Sequence, residues 1–350
     1  MPIKGLGINA YSWRIDGNLE TLENDLARFQ AVGYNYVEIP VHGVDAVLNG
    51  QLNVRQVRKI KEILSRFHLR YTVHCADSLN LMDADDYLLA KSILQASLEF
   101  AGEIGAEILV YHAGRITLQH EYLGQLALTR EFLTIPDRTY VDERKGAERE
   151  ALAELSGLAA KLGVILTVEN ADPRIEDEAL WEMARRIRDR GIDITYRLAP
   201  GGDRAIYNYG GMIERLVAQV QRIDRPNVGL TLDCGHAYIA SHYYGFDYLR
   251  AIEIALPYTR HLHIHDDFGK PAGVDRRLGI LIPNGKGDLH MPIGWGKIPY
   301  REVFSRLRDY NYDGVLLLEI NPRYSAFYKD AFQETRDLLV ECGLEVQKWT

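Results

Sequence analysis

The strongest constraint on how this chain folds is a rhythm. A short apolar run rich in Val, Ile, Leu and Tyr is followed by a longer stretch with helical spacing, and the pair recurs eight times. The runs lie at 5–10, 35–39, 70–74, 108–112, 164–169, 228–233, 261–265 and 314–319, and the helical stretches at 19–32, 54–67, 86–104, 147–162, 177–190, 212–223, 248–256 and 300–309. Eight strand–helix units predict a (β/α)8 TIM barrel over a doubly wound open sheet, which more often has about five to seven strands. The 350 residues show no shift in composition along their length, so the barrel is expected to be a single domain over 1–350.

Two connections exceed what a barrel requires, and both leave the carboxyl ends of strands, where barrel loops shape an active site. They are expected as long insertions at about 115–150 and 195–211, the second rich in Tyr and Gly and read as a lid over a substrate, a contact between subunits or simple padding. The stretch 270–287 is also long and polar.

Composition removes several function classes. A net charge of -8 opposes a broad phosphate-binding footprint, so nucleic acid is not an expected partner. The three cysteines, Cys75, Cys234 and Cys342, form no CxxC pair, which argues against a disulfide framework or a thiolate metal site and fits a reducing cytoplasm. No run approaches the roughly 20 apolar residues of a membrane span, and the amino terminus enters the first strand without an apolar leader, so a soluble, unprocessed protein is expected. A homo-oligomer is left open.

The chemistry sits where the strands end. From the third run onward each strand carries a metal-competent residue: His74 in YTVHCAD, His112 in ILVYHAG, Glu169 in LTVENAD, Asp233 in LTLDCGHA, a histidine of HLHIHDD, and Glu319 in VLLLEINP. Ionisable groups avoid the ends of apolar runs unless they are paired or bound to metal, so six in succession point to a common site. Carboxylate and imidazole donors without thiolate suit zinc, manganese, cobalt, iron or magnesium, in one to three ions. Alternation along a strand aims such residues into one mouth of the barrel. His261, His263 and His265 share a face, and spacing alone leaves open which of them binds metal; Asp266 and Asp267 follow as candidate outer partners. His236 stands three residues after Asp233, as a loop or helix-cap histidine or a ligand. Asp288 and His290 lie on one side of an extended segment, in a glycine-flanked stretch containing Gly287, Gly294 and Gly296.

In this order the motifs HCADSLNLM, YHAG, VENAD, GLTLDCGHA, HIHDD, GDLHMPIGWG and LLLEINP resemble the xylose isomerase-like barrel superfamily, over about residues 5–322. That superfamily includes sugar phosphate isomerases and epimerases and also endonuclease IV. The resemblance implies that Glu169, Asp233, His263 and Glu319 form the four-ligand site of the metal-dependent epimerases, with Glu169 and Glu319 also the acid/base pair. It implies further that His74, His112, His236, Asp288 and His290 match the ligands with which the endonuclease branch completes a three-zinc cluster.

Two features favour the sugar chemistry. Glu38 in GYNYVEIPVHG resembles a VEI signature of the sugar enzymes, although a buried ion pair explains it equally well. Neither 39–54 nor 73–83 holds an Arg or Lys, whereas DNA affinity rests on phosphate contacts. The expected activity is isomerisation or epimerisation of a keto-sugar, sugar phosphate or related polyol through an enediolate, with an abasic-site endonuclease as the alternative. Tyr11, Trp13, Tyr243, Tyr244 and Trp295 are candidate sugar-stacking residues, and Arg115 and Arg204 candidate phosphate contacts.

Overall fold

Eight parallel strands close on themselves in the computed structural model, which describes residues 3–116, 138–173, 205–272 and 278–347. In chain order the strands are β1 Gly5–Asn9, β2 Tyr36–Pro40, the small antiparallel pair β3 Val47–Leu48 and β4 Gln51–Leu52, then β5 Arg70–His74, β6 Ile108–His112, β7 Ile165–Glu169, β8 Val228–Asp233, β9 Thr259–Ile264 and β10 Val315–Leu318. The barrel runs β1-β10-β9-β8-β7-β6-β5-β2, so each strand lies beside its predecessor in the barrel and β10 closes onto β1. This is the single-domain TIM barrel that the rhythm predicts, with strand bounds displaced by no more than two residues. Among the described residues only the β3–β4 pair of strands lies outside the repeat.

Local chemistry sets the helices. Leu19–Val32 starts where the Asn18 side chain accepts from the Glu20 and Thr21 amides, ends at Gly33 with φ 115°, and buries Leu22, Leu26 and Phe29. Val54–Leu64 is capped by Asn53 and buries Val57, Ile60, Ile63 and Leu64. Helical spacing supplies the apolar stripe and the barrel wall covers it.

Several sequence expectations need correction. The insertion expected at 115–150 is helical from Arg138, because the helix Arg138–Leu162 begins well before residue 147. Gly146 makes the helix look as if it starts later, since glycine costs about 1 kcal/mol relative to alanine inside a helix. Burial of Val141 and the hydrogen bonds gathered by Glu148 offset that cost. Glu148 is fully buried and gathers the Tyr209 hydroxyl at 2.5 Å, the Gly114 amide at 2.7 Å, and the Tyr111 hydroxyl and Gln219 amide at 3.1 Å. It therefore ties the exit of β6 to the turn at Tyr209–Gly211. The remaining residues of that insertion, 117–137, lie outside the described residues, as do 195–204 of the second insertion and the expected helix at 177–190. The stretch 270–287 contains the helix Leu278–Asn284. Two helices that the periodicity does not signal are Cys234–Tyr244 and Tyr328–Glu341. The first buries Cys234, Ala237, Ile239 and Ala240, small or apolar groups with no clear polar face. No helix among the described residues is long and apolar enough to cross a membrane.

Candidate metal centre at the barrel mouth

Strand register brings the donors level. β6 pairs with β7 so that His112 stands beside Glu169, and β8 pairs with β9 so that Asp233 stands beside His263. Glu319 follows the last residue of β10. Glu169, Asp233, His263 and Glu319 are buried, and each contributes a donor atom lying within 4.8 Å of the others. His263 Nδ1 is 3.0 Å from Glu169 Oε1 and 3.5 Å from Glu319 Oε1. The second Glu169 oxygen faces His74 Nε2 at 3.1 Å and His112 Nε2 at 3.0 Å. His236 Nε2 and His290 Nε2 approach Asp288 Oδ2 at 3.1 and 2.7 Å. The structure thus gathers at one mouth all nine side chains singled out in the sequence: His74, His112, Glu169, Asp233, His236, His263, Asp288, His290 and Glu319.

Local backbone explains the placement. His236 is in the first turn of the helix Cys234–Tyr244, where its amide donates to Asp233 Oδ1 at 2.6 Å, so Asp233 caps the helix with the oxygen that is not left for other partners. Asp288 and His290 lie on one side, as their spacing predicts, with His290 Nε2 2.7 Å from Asp288 Oδ2, but the segment is not regularly extended: His290 takes φ 47°, a left-handed conformation uncommon for a non-glycine residue. The glycine-rich stretch after it wraps around Asp266, whose carboxylate accepts the amides of Gly294, Gly296, Ile298 and Asp267 at 2.9 to 3.1 Å. A Cβ on Gly296 would stand 2.2 Å from the Asp267 carbonyl, so that approach requires glycine. Asp266 is therefore a loop anchor, not an outer partner of a ligand.

Below the donors lies a second polar layer. Glu38 on β2 is buried, accepts the Thr72 hydroxyl at 2.8 Å, and meets His261 Nε2 at 3.2 Å. Its other oxygen is 3.2 Å from His263 Nε2, close enough for an ion pair but outside hydrogen-bond alignment. Thr167 and Thr231 share a hydroxyl bond of 2.7 Å nearby. Glu38 supports His263 from the side away from Glu169, a role that the VEI motif alone does not reveal. The residue spacing of HLHIH shows a common face; only the structure separates the three histidines by depth, with His261 against Glu38, His263 among the four donors and His265 near Asp288.

The electrostatics are those of tightly packed acids and imidazoles. Burial works to raise the Glu169 carboxyl, but His112 and His263 beside it hold it well below the usual carboxylate range. Burial likewise opposes ionisation of Asp288, and His290, His236 and His265 overcome it. For Glu319 burial prevails and the carboxyl is raised despite His263 and His290. Asp233 Oδ2, Asp288 Oδ1, His263 Nε2 and both ring nitrogens of His265 are buried without hydrogen-bond partners. Buried polar atoms are seldom left so, and a divalent cation among them would resolve the deficit; the donor set fits one.

A cavity of about 190 Å³ opens over the cluster and is lined by Asn9, Tyr11, Trp13, His42, Asp77 and Glu319 among others. Trp13 is 78% exposed at its rim. Asp77 and His42, 3.8 Å apart, are lining residues that the motif reading missed. Tyr243 and Tyr244 pack on each other, and Trp295 packs on Tyr324 and Phe327, none of them in this lining. Arg115 borders an adjoining recess with Asp77 and His112, while Arg204 lies outside the described residues.

The family model described as xylose isomerase-like TIM barrel matches residues 26–177 and 174–342. An uncharacterised protein of Methanocaldococcus jannaschii is 24% identical over 334 residues, covering 94% of this chain and 89% of its own. Among solved structures, a D-tagatose 3-epimerase-like protein superposes with a TM-score of 0.63 at 20% identity, covering 96% of this chain and 98% of that one. A D-psicose 3-epimerase in the presence of D-fructose gives 0.61 at 14%, covering 96% and 99%. The 3-keto-D-glucoside 4-epimerase of E. coli gives 0.59 at 15%, covering 95% and 99%. At these identities the likeness establishes a shared fold.

Proposed function

The chain belongs to the xylose isomerase-like TIM barrel family, and from that premise we propose that it is a metal-dependent isomerase or epimerase of a keto-sugar, sugar phosphate or related polyol. One observation carries the reading: Glu169, Asp233, His263 and Glu319, buried and mutually within 4.8 Å, sit under a cavity rimmed by aromatic groups. The solved structures named above, which are sugar epimerases or like one, support the choice of substrate class. Those four residues would hold the metal, which supplies polarisation of a carbonyl and the hydroxyl next to it.

The protein's own groups do the rest. Glu169 and Glu319 stand on strands separated by β8 and β9, so their carboxylates reach the substrate from different sides. One takes the proton from the carbon beside the carbonyl, leaving an enediolate, and the other returns a proton on the opposite face. Glu38 holds the His263 ring from below, and Tyr11 and Trp13 offer apolar faces to a sugar ring. The test is solvent-deuterium exchange: the metal-loaded protein should introduce deuterium into a panel of ketoses, and Glu169→Gln or Glu319→Gln should abolish it in folded protein. Exchange that persists in both variants removes the proposed acid/base pair.

A specific feature supports a second reading. His74 and His112 converge on one oxygen of Glu169, extending the donor set toward a multinuclear hydrolase of the endonuclease IV type. It predicts metal-dependent incision of duplex DNA at abasic sites, weakening with salt. Among the described residues the cavity lining contains no Lys or Arg, which weighs against a phosphodiester backbone.

A further inference from the structure

His265 has no role in the reading above, yet the structure spends much on placing it. It follows the last residue of β9, is fully buried, and has both ring nitrogens without hydrogen-bond partners. Its Nε2 lies 3.3 Å from Asp233 Oδ2 and 3.4 Å from Asp288 Oδ1, two carboxylate oxygens that are likewise buried and unpartnered. Tyr300 satisfies only the His265 backbone, accepting its amide at 3.0 Å and donating to its carbonyl at 2.5 Å. The ring stacks on His290 at 4.2 Å between centroids and 20° between planes. Its other side rests on bare backbone: a Cβ at Gly235 would stand 2.0 Å from His265 Cε1. One donor atom each from His236, His265, Asp288 and His290 lies within 4.8 Å of the rest.

We propose that His265 is the fourth ligand of a second metal site, formed with His236, Asp288 and His290 and suited to zinc, which the protein closes on itself. The inference rests on the reading of this mouth as a metal centre. Three protein donors leave one place in a four-coordinate zinc site for water or substrate, and a fourth donor takes that place; the carboxylate-rich Glu169–Asp233–His263–Glu319 set instead suits an ion of higher coordination number such as manganese or magnesium, which keeps places open beside four protein donors. Both sites border the substrate cavity, the first through Glu319 and the second through His236, Asp288 and His290, whereas His265 itself is absent from the lining and approaches from behind it. The second ion then braces the rim: it joins the first turn of the helix Cys234–Tyr244, the residue after β9 and the left-handed turn at His290. It activates no water, because no coordination place remains for one.

The experiment uses the full-length chain stripped of metal and loaded with cobalt(II) as the probe, with ions counted by elemental analysis. Wild type should show the intense visible absorption of four-coordinate cobalt. His265→Gln should bind one ion fewer per chain and lose that absorption, while His265→Cys should restore the count and add a thiolate-to-cobalt band. Gly235→Ala, which displaces the ring and removes no donor, should lose the same ion if His265→Gln does not fold. An unchanged count and spectrum in either folded variant overturns the proposal, leaving His265 as an ion-pair partner of the two aspartates. Deuterium exchange in the same samples separates the two readings. Wild type that carries the four-coordinate signal and exchanges no ketose sinks the isomerase reading alone; active exchange with a His265→Gln spectrum unchanged sinks this one alone.

Discussion

The two ends of the barrel compensate charge in opposite ways. At the foot, Glu107 at the approach to β6 receives Lys4 and Arg70, with the Tyr36 hydroxyl at 3.4 Å, and the Arg70 guanidinium lies over the Tyr36 ring at 5.1 Å. The partners there are an ammonium and a guanidinium, and they meet a carboxylate that is partly open to water. At the mouth the carboxylates are buried and their partners are imidazoles, which become metal donors once neutral. The foot even has the larger cavity, about 430 Å³ against about 190 Å³, lined by Lys4, Glu107, Arg260 and Asp313. Size therefore does not mark the site. What marks it is a cluster of buried carboxylate and imidazole atoms left without partners, which the mouth has in Asp233, Asp288, His263 and His265. Barrel enzymes place chemistry at the carboxyl ends of strands and stability at the other, and the charge pattern here follows that division.

The sharpest way to break this comparison is to remove one carboxylate at the mouth. Glu169→Gln or Glu319→Gln should lower turnover by about 10²- to 10⁴-fold, the usual worth of a positioned acid or base, with the fold intact by circular dichroism. A next test is removal of metal. An ion present at about 100 times its dissociation constant contributes roughly 2.7 kcal/mol, so a chelator should depress the melting temperature of wild type measurably in calorimetry. An unchanged melting temperature and activity would mean that the unpartnered atoms hold no ion. Third, Glu38→Gln should weaken metal affinity by about 10- to 100-fold, as loss of a carboxylate behind a ligating histidine does, with turnover near wild type at saturating metal. Metal titration monitored by activity separates these two quantities. Smallest is the foot: Glu107→Gln should cost about 1 kcal/mol or less in denaturant unfolding, because partly exposed pairs are weak, and should leave metal binding and turnover unchanged. A loss of activity there would erase the division between the two ends.

Much of the fold was legible because its signals are local. A strand of period two and a helix of period 3.6 announce themselves within about ten residues, and eight alternations leave few architectures. The helix Cys234–Tyr244 escaped because burial on most sides removes the amphipathic stripe, and the early start at Arg138 escaped because Gly146 reads as a breaker. Of the site, six of the nine donor-type side chains were visible as charged or imidazole groups at the ends of apolar runs, and His236, Asp288 and His290 only as motif residues beyond them. Glu38 was visible only as a carboxylate within a strand; its contact with His261 and His263 joins residues more than two hundred positions apart.

By itself, then, the sequence determined the barrel and the chemical type of each group facing its mouth, since both follow from periodicity and side-chain identity. The tertiary structure decided the grouping: which histidine of HLHIH meets Glu38, which joins Glu169 and Glu319, and which turns to Asp288. Alternation along a strand fixes the face a residue takes but says nothing of its depth or its neighbours across the barrel. Those are set by register and closure, which arise only when all eight strands pack together.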